Sequence, residues 1–283
     1  MCLLGIFEVG QELTAMITIL SAYRFLLCSL IGGIGIAGLA DRVYSQANVL
    51  IFSSGDPDKD NALGKLIEGY GHKVIIGSEL PDYAGGGLSG VHVVLLQASQ
   101  SWADKDMPES GQLDLLNFVN SGGGLITTRP VLWNTAEGSE LSALRNAFPA
   151  EPESSTPSGQ PVTYAQNSLD KVLNAGLPAY FSIHSASDVD GQTVFAPRPG
   201  AKVFFQSNSG GTGYQVAGVV GWNYGAGRVI ALSTLLDEVS LQDANYSRLV
   251  HNSIVWTKPI PEPSAGLCAL LATVGTSLYR RRR

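Results

Sequence analysis

Hydroxyls, carboxylates and imidazoles must supply any chemistry in the middle of this chain, because thiols are absent there. The three cysteines are Cys2, Cys28 and Cys268, so residues 48–260 hold no thiolate nucleophile, no thiolate metal ligand and no disulfide. Thr127 and Thr128 end an apolar run just before Arg129-Pro130. A threonine hydroxyl there could be a nucleophile only with a base in hydrogen-bond reach. His184, followed by Asp188 and Asp190, forms a loose His/carboxylate cluster that could act as a base or a metal site. Asp56, Asp58 and Asp60 alternate after Ser53-Ser54-Gly55. This loop could hold a ligand or cation, or it could be the solvated N-terminus of a helix whose dipole favours carboxylates. His72 and His92 open apolar runs and His251 sits in a helical pattern, positions that suit structural roles. The Gly85-Gly86-Gly87 tract lacks the Lys-Ser/Thr of a phosphate loop, and the sequence assigns neither a metal nor a cofactor.

The elements that must position these groups alternate. Asn48–Phe52, Lys73–Ile76, His92–Leu96 and Leu125–Thr128 are near-continuous apolar runs that predict buried strands. Between them, Leu63, Leu66 and Ile67 mark a helix over Asn61–Tyr70, closed by Gly71. Leu113, Leu116, Phe118 and Val119 mark another, ending at Gly122-Gly123-Gly124. Arg228–Ser233 predicts a further strand and Asp243–Trp256 a final helix. The expectation is an α/β fold with a mostly parallel sheet and helices on both faces, a flavodoxin-like layering. Ligands of such sheets bind at the carboxyl ends of the strands, where the Asp56–Asp60 loop falls. The region between is looser. It predicts a helix over Leu141–Phe148, an exposed loop over Pro149–Pro161, and strands at Gln192–Ala196, Ala201–Gln206 and Val216–Trp222.

The two ends have a different character. Arg24 precedes the apolar run Phe25–Ala40, which is short for a membrane span. Gly38-Leu39-Ala40 and Ser45-Gln46-Ala47 each place small residues where a signal peptidase reads them, so residues 1–47 are expected to be a signal peptide, with Met16 an alternative start. An uncleaved anchor is the other reading. At the far end, Pro261-Glu262-Pro263 is followed by the apolar stretch Ala265–Tyr279 and then Arg280, Arg281, Arg282 and Arg283. Four cations after a short apolar helix stop translocation. This three-part order resembles the PEP-CTERM sorting signal over residues 261–283. The resemblance implies transient residence in the inner membrane, cutting by an exosortase-type membrane protease, and release to the cell surface or an exopolysaccharide matrix. The implied partners are signal peptidase, the exosortase and extracellular polysaccharide.

The whole chain has 24 acidic and 18 basic side chains and a net charge of −6. The leader holds three of the acids and two of the bases, and the tail one acid and four bases, so residues 48–260 carry −8. That charge argues against nucleic acid and against anionic lipid as partners.

Residues 48–260 also resemble the trehalose-utilisation (ThuA-like) proteins of the class I glutamine-amidotransferase-like fold. The landmarks are Phe118-Val-Asn-Ser-Gly-Gly-Gly-Leu-Ile126, Leu173-Asn-Ala-Gly-Leu-Pro178, Trp222-Asn-Tyr-Gly-Ala-Gly-Arg-Val229 and Leu249-Val-His-Asn-Ser-Ile-Val-Trp256. In amidotransferases of this fold a cysteine occupies the turn after the fourth strand; here that place reads Thr127-Thr128-Arg129-Pro130. The family's Glu after the Gly-Leu-Pro strand and its Gly-His after the Gly-Arg-Val strand give way to Ser185–Asp188 and Ser233-Thr234-Leu235. The resemblance therefore implies the fold without its nucleophile: an exported, non-catalytic domain acting in binding or assembly. The alternative is a carbohydrate-active or hydrolytic enzyme using other residues.

Overall fold

The computed structural model describes residues 46–97, 106–129, 131–132, 141–155, 161–184, 191–209 and 216–259. In chain order the elements are β1 (Asn48–Ser53), α1 (Pro57–Gly69), β2 (Lys73–Glu79), β3 (Val93–Leu96), α2 (Glu109–Asn120), β4 (Gly124–Thr128), β5 (Ala150–Ser155), β6 (Val162–Gln166), β7 (Tyr180–Ile183), β8 (Thr193–Pro197), β9 (Lys202–Ser209), β10 (Val216–Tyr224), β11 (Gly227–Leu232) and α3 (Ala244–Thr257).

These strands form one sheet in the order β2-β1-β3-β4-β11-β10-β9-β6-β7, with β8 pairing β10 and β5 pairing β8. The first five strands in that order are parallel, as the apolar runs predict. From β11 onward every pairing is antiparallel. The α/β class stands, but the sheet is mixed rather than mostly parallel. The reason is local: Tyr224-Gly225-Ala226-Gly227 folds β10 back onto β11, so no crossover helix intervenes.

Alternation along the central strands builds two cores. Val49, Ile51, Val93, Leu95, Ile126 and Ile230 face Leu63 and Ile67 of α1 and Leu249, Val250 and Ile254 of α3. Leu50, Phe52, Val94, Leu96, Leu125 and Val229 face Leu115 and Val119 of α2. Helices thus cover both faces of the parallel half, which is why its strands read as unbroken apolar runs.

The glycine-rich landmarks have a packing cause. The β10–β11 turn lies on the end of α2, where Ala226 N donates to Asn120 O at 3.0 Å. A Cβ on Gly227 would strike the carbonyl oxygens of Val119 and Gly123, and Gly225 has a positive φ of 59°. Gly225 and Gly227 thus let the turn lie on the end of α2, whereas a Cβ on Gly123 would meet the Phe118 ring and one on Gly124 the Thr257 carbonyl.

Three expectations for the middle region change. Leu141–Phe148 contains only a short 3-10 turn, Leu144–Ala147. The expected loop at Pro149–Pro161 contains β5, whose Glu151 accepts an ion pair from Arg198 at 2.9 Å. β6 was not foreseen.

Chain entry and exit meet at the amino ends of the parallel strands. Ala47 N and Asn48 N donate to Nδ1 of His72 and of His92 at 3.2 and 2.9 Å. Lys258, just beyond α3, is near enough to act electrostatically on both rings. No helix among the described residues is long and apolar enough to cross a membrane. The leader 1–45, the expected span 265–279 and the motif residues Pro261, Glu262, Pro263 and Arg280–Arg283 lie outside the described residues.

Candidate functional site

β1 continues to β2 on one side while β3 lies on its other side, so the strand order reverses direction at the β1–β3 boundary. Sheets of this kind open a crevice at such a point, beyond the carboxyl ends of the strands. Ser53 and Ser54 stand at that end of β1 and Gln97 at that end of β3. Asp60, in the first turns of α1, joins them. Its carboxylate accepts from Ser53 Oγ at 2.6 Å, Ser54 N at 2.9 Å and Gln97 Nε2 at 2.7 Å. Asp60 and Gln97 are both buried. A buried carboxylate persists only when its lone pairs are met, and here the ends of two strands supply the donors to an acceptor on the helix.

The other two aspartates of the loop do not converge on it. Asp56 caps α1, accepting from Asp58 N at 3.0 Å and Lys59 N at 3.4 Å. Asp58 is exposed. Among the described residues no group of three or more His, Cys, Asp or Glu side chains could hold a metal ion.

Thr127 and Thr128 end β4 and are both buried. Successive strand residues face opposite sides, so Thr127 shares the α2 face with Leu125 and Thr128 the α1/α3 face with Ile126. The two hydroxyls cannot serve one site together. Thr128 Oγ1 donates to Leu96 O at 3.3 Å, and Thr127 Oγ1 is a buried hydroxyl with no hydrogen-bond partner among the described residues. Arg129, next after β4, is helical, as are Val131 and Leu132.

None of the four histidines is hydrogen-bonded to either threonine. His92 precedes β3, and Leu96 of that strand pairs with Thr127, which puts the ring about 13 Å away along the strand direction. His72 and His251 lie at the same far end, bonded to each other. Burial lowers the pKa of all three, that of His251 to about 4. His184 follows β7 with an exposed side chain, and its carbonyl accepts from Ser240 Oγ at 3.3 Å. Asp188 and Asp190 lie outside the described residues.

A second polar knot sits past the end of β11, at the Ser233-Thr234-Leu235 stretch that stands where the family has Gly-His; Tyr164 and Tyr246 gave no sequence signal beyond being aromatic. Tyr246 Oη donates to Leu235 O at 2.9 Å and lies 2.6 Å from Thr234 Oγ1, which lies 2.7 Å from Tyr164 Oη. A carbonyl only accepts, so the protons run one way, from Tyr164 to Thr234 to Tyr246 to the backbone. Burial raises both phenols, Tyr164 to about 12. The chain of hydroxyls therefore ends without a base to receive a proton.

The opposite end of the sheet carries a polar concavity of about 570 Å³, lined among others by Ser121, Asn223, Arg228 and Lys258.

The sequence matches no family profile and no curated protein. Solved structures do match. One is a protein described as ThuA-like from Parabacteroides merdae ATCC 43184, with a TM-score of 0.56 and 14% identity over 77% of this chain and 93% of that one. The fold is that of ThuA-like proteins. A second such protein, from Bacteroides uniformis ATCC 8492, gives a TM-score of 0.56 at 13% identity, covering 76% of this chain and 92% of its own. A cytoplasmic protein from Salmonella typhimurium LT2 gives 0.55 at 11% identity, covering 75% and 99%. At these identities the likeness concerns the ThuA-like fold alone.

Proposed function

We propose that this chain is an exported ThuA-like domain that works by binding rather than catalysis, at the cell envelope or in an exopolysaccharide matrix. The observation that carries the non-catalytic reading is the state of Thr127 and Thr128. The turn that holds a cysteine in amidotransferases of this fold offers one hydroxyl bonded to a backbone carbonyl and one buried alone. Neither has a base. The export reading rests on the leader and on the Pro261–Arg283 tail.

A polysaccharide ligand is favoured by the outward face of β6, β7 and β9. Register aligns Tyr180 with Ala165 and, one strand further, Gln206, and Ser182 with Thr163 and, one strand further, Asn208. No charged residue occupies these six positions, and Tyr180 is 71% exposed. An aromatic plane among neutral donors and acceptors suits an uncharged sugar chain. Native gels cast with hydroxyethylcellulose test this: the protein is retarded there and runs unretarded in alginate gels. Tyr180→Ala weakens the retardation about fivefold, the worth of one ring contact of ~1 kcal/mol. Free migration in the neutral gel would remove this ligand class. Hydrolysis of the polymer, lost in Thr127→Ala or Thr128→Ala, would overturn the non-catalytic reading.

A further inference from the structure

We infer that signal peptidase cuts after Ala40 and not after Ala47, so the mature domain keeps the segment from Asp41 to Ala47. The inference rests on the export reading above. Both positions satisfy the small-residue pattern, Gly38 and Ala40 in one case, Ser45 and Ala47 in the other. The sequence alone does not separate them; the folded domain does.

Ala47 is an integral part of the sheet. It is fully buried, and its methyl group belongs to the apolar cluster beneath α1 and α3. Its carbonyl accepts from Lys73 N at 2.8 Å, the first rung of the ladder between β1 and β2. Its amide donates to His72 Nδ1, and His72 is itself buried. Removing Ala47 strips the acceptor from Lys73 N and the donor from His72 Nδ1 in one step. For the buried His72 ring the loss of that partner is costly.

A cut at Ala47 also changes the next residue. Asn48 N now donates to His92 Nδ1 as a neutral amide. As a new chain terminus it would be an ammonium group, in a place where the Lys258 cation already acts on His92. The cut at Ala40 avoids both penalties. Water adds across the Ala40–Asp41 amide, its hydroxyl going to the Ala40 carbonyl and its proton to the Asp41 amine. The new ammonium then stands six residues before Ala47 in the chain.

N-terminal sequencing and intact mass of the full-length protein, expressed in its own host and recovered from outside the cytoplasm, decide the point. The expected first residue is Asp41. A first residue of Asn48 overturns the inference and leaves the export reading standing. A protein that retains its leader, starting at Met1 or Met16, overturns both. Ala40→Gln is expected to accumulate precursor without shifting cleavage to Ala47, and efficient processing of that variant at Ala47 would also overturn the inference. A folding readout keeps the argument independent of the protease. Protein beginning at Asp41 is expected to melt several degrees above protein beginning at Asn48, and equal melting temperatures would remove the physical basis of the choice.

Discussion

His72 Nε2 lies 3.0 Å from His251 Nδ1, and the proton between them belongs to His72. His72 Nδ1 already accepts from Ala47 N, so a neutral His72 carries its hydrogen on Nε2 and donates it to His251. His251 must then keep its own hydrogen on Nε2. Tyr70 stacks on the His251 ring at 4.4 Å. This tautomer also leaves His72 Nε2 without a lone pair for a metal.

Stability is expected to fall with acid. His72 is buried and His92 and His251 are half-buried, and desolvation holds all three below the ordinary 6.5, His251 at about 4. In the unfolded chain they titrate near 6.5, so between pH 6.5 and 4 the unfolded state binds more protons. Their contribution is complete above pH 6.5 and lost as pH falls toward 4. Melting temperature against pH checks this, and His251→Phe should flatten the slope. A profile unchanged by that substitution would contradict the assignment.

Asp60→Ala is expected to cost about 3 kcal/mol, because it leaves Gln97 Nε2 and Ser54 N buried without an acceptor. Asp56→Ala removes a helix cap and costs about 1 kcal/mol. Asp58→Ala, at an exposed position, stays within about 0.5 kcal/mol. Urea unfolding of the three variants gives the order directly.

Thr127→Val is expected to be neutral or to stabilise by up to about 1 kcal/mol, since it replaces a buried hydroxyl that has no partner with a methyl group of the same shape. Thr128→Val is expected to destabilise, because its hydroxyl bonds to Leu96 O. A large loss for Thr127→Val, measured by the urea midpoint at constant m, would point to a role for that hydroxyl.

Gly227→Ala is expected to cost about 3 kcal/mol or prevent folding, because its Cβ meets backbone carbonyls that cannot move aside. Gly200→Ala is the control. Its φ is positive, 89°, but nothing lies within 4 Å of the new atom, so the cost is about 1 kcal/mol of backbone strain. Thermal unfolding of the pair separates collision from conformation.

The parallel half of the sheet was legible because burial on both faces leaves Val, Ile, Leu and Phe in continuous runs, as in β1 and β3. β5 was hidden because Glu151, Pro152 and Glu153 read as loop; its strand state depends on pairing with β8 and on Arg198, distant in sequence. The candidate site was legible only in part. The Asp56–Asp60 loop was placed at the strand ends, yet nothing local distinguishes Asp60 from its exposed neighbour Asp58. What separates them is Gln97, which reaches Asp60 from another strand. Periodicity reports which face a residue occupies, but not which distant donor meets it there.

Because Ala47 bonds His72 and Lys258 acts electrostatically on that same ring, both belong to one pole of the sheet, and the domain is suited to life as a guest inside another chain. A host turn could open, admit residues 46–259 and close again with little stretch in either partner. The same closeness favours circular permutation, with a short linker joining the old ends and new ones cut in a loop elsewhere. Such a rearrangement would leave the bond between Gln97 and Asp60 undisturbed, because it lies at the other pole of the strands.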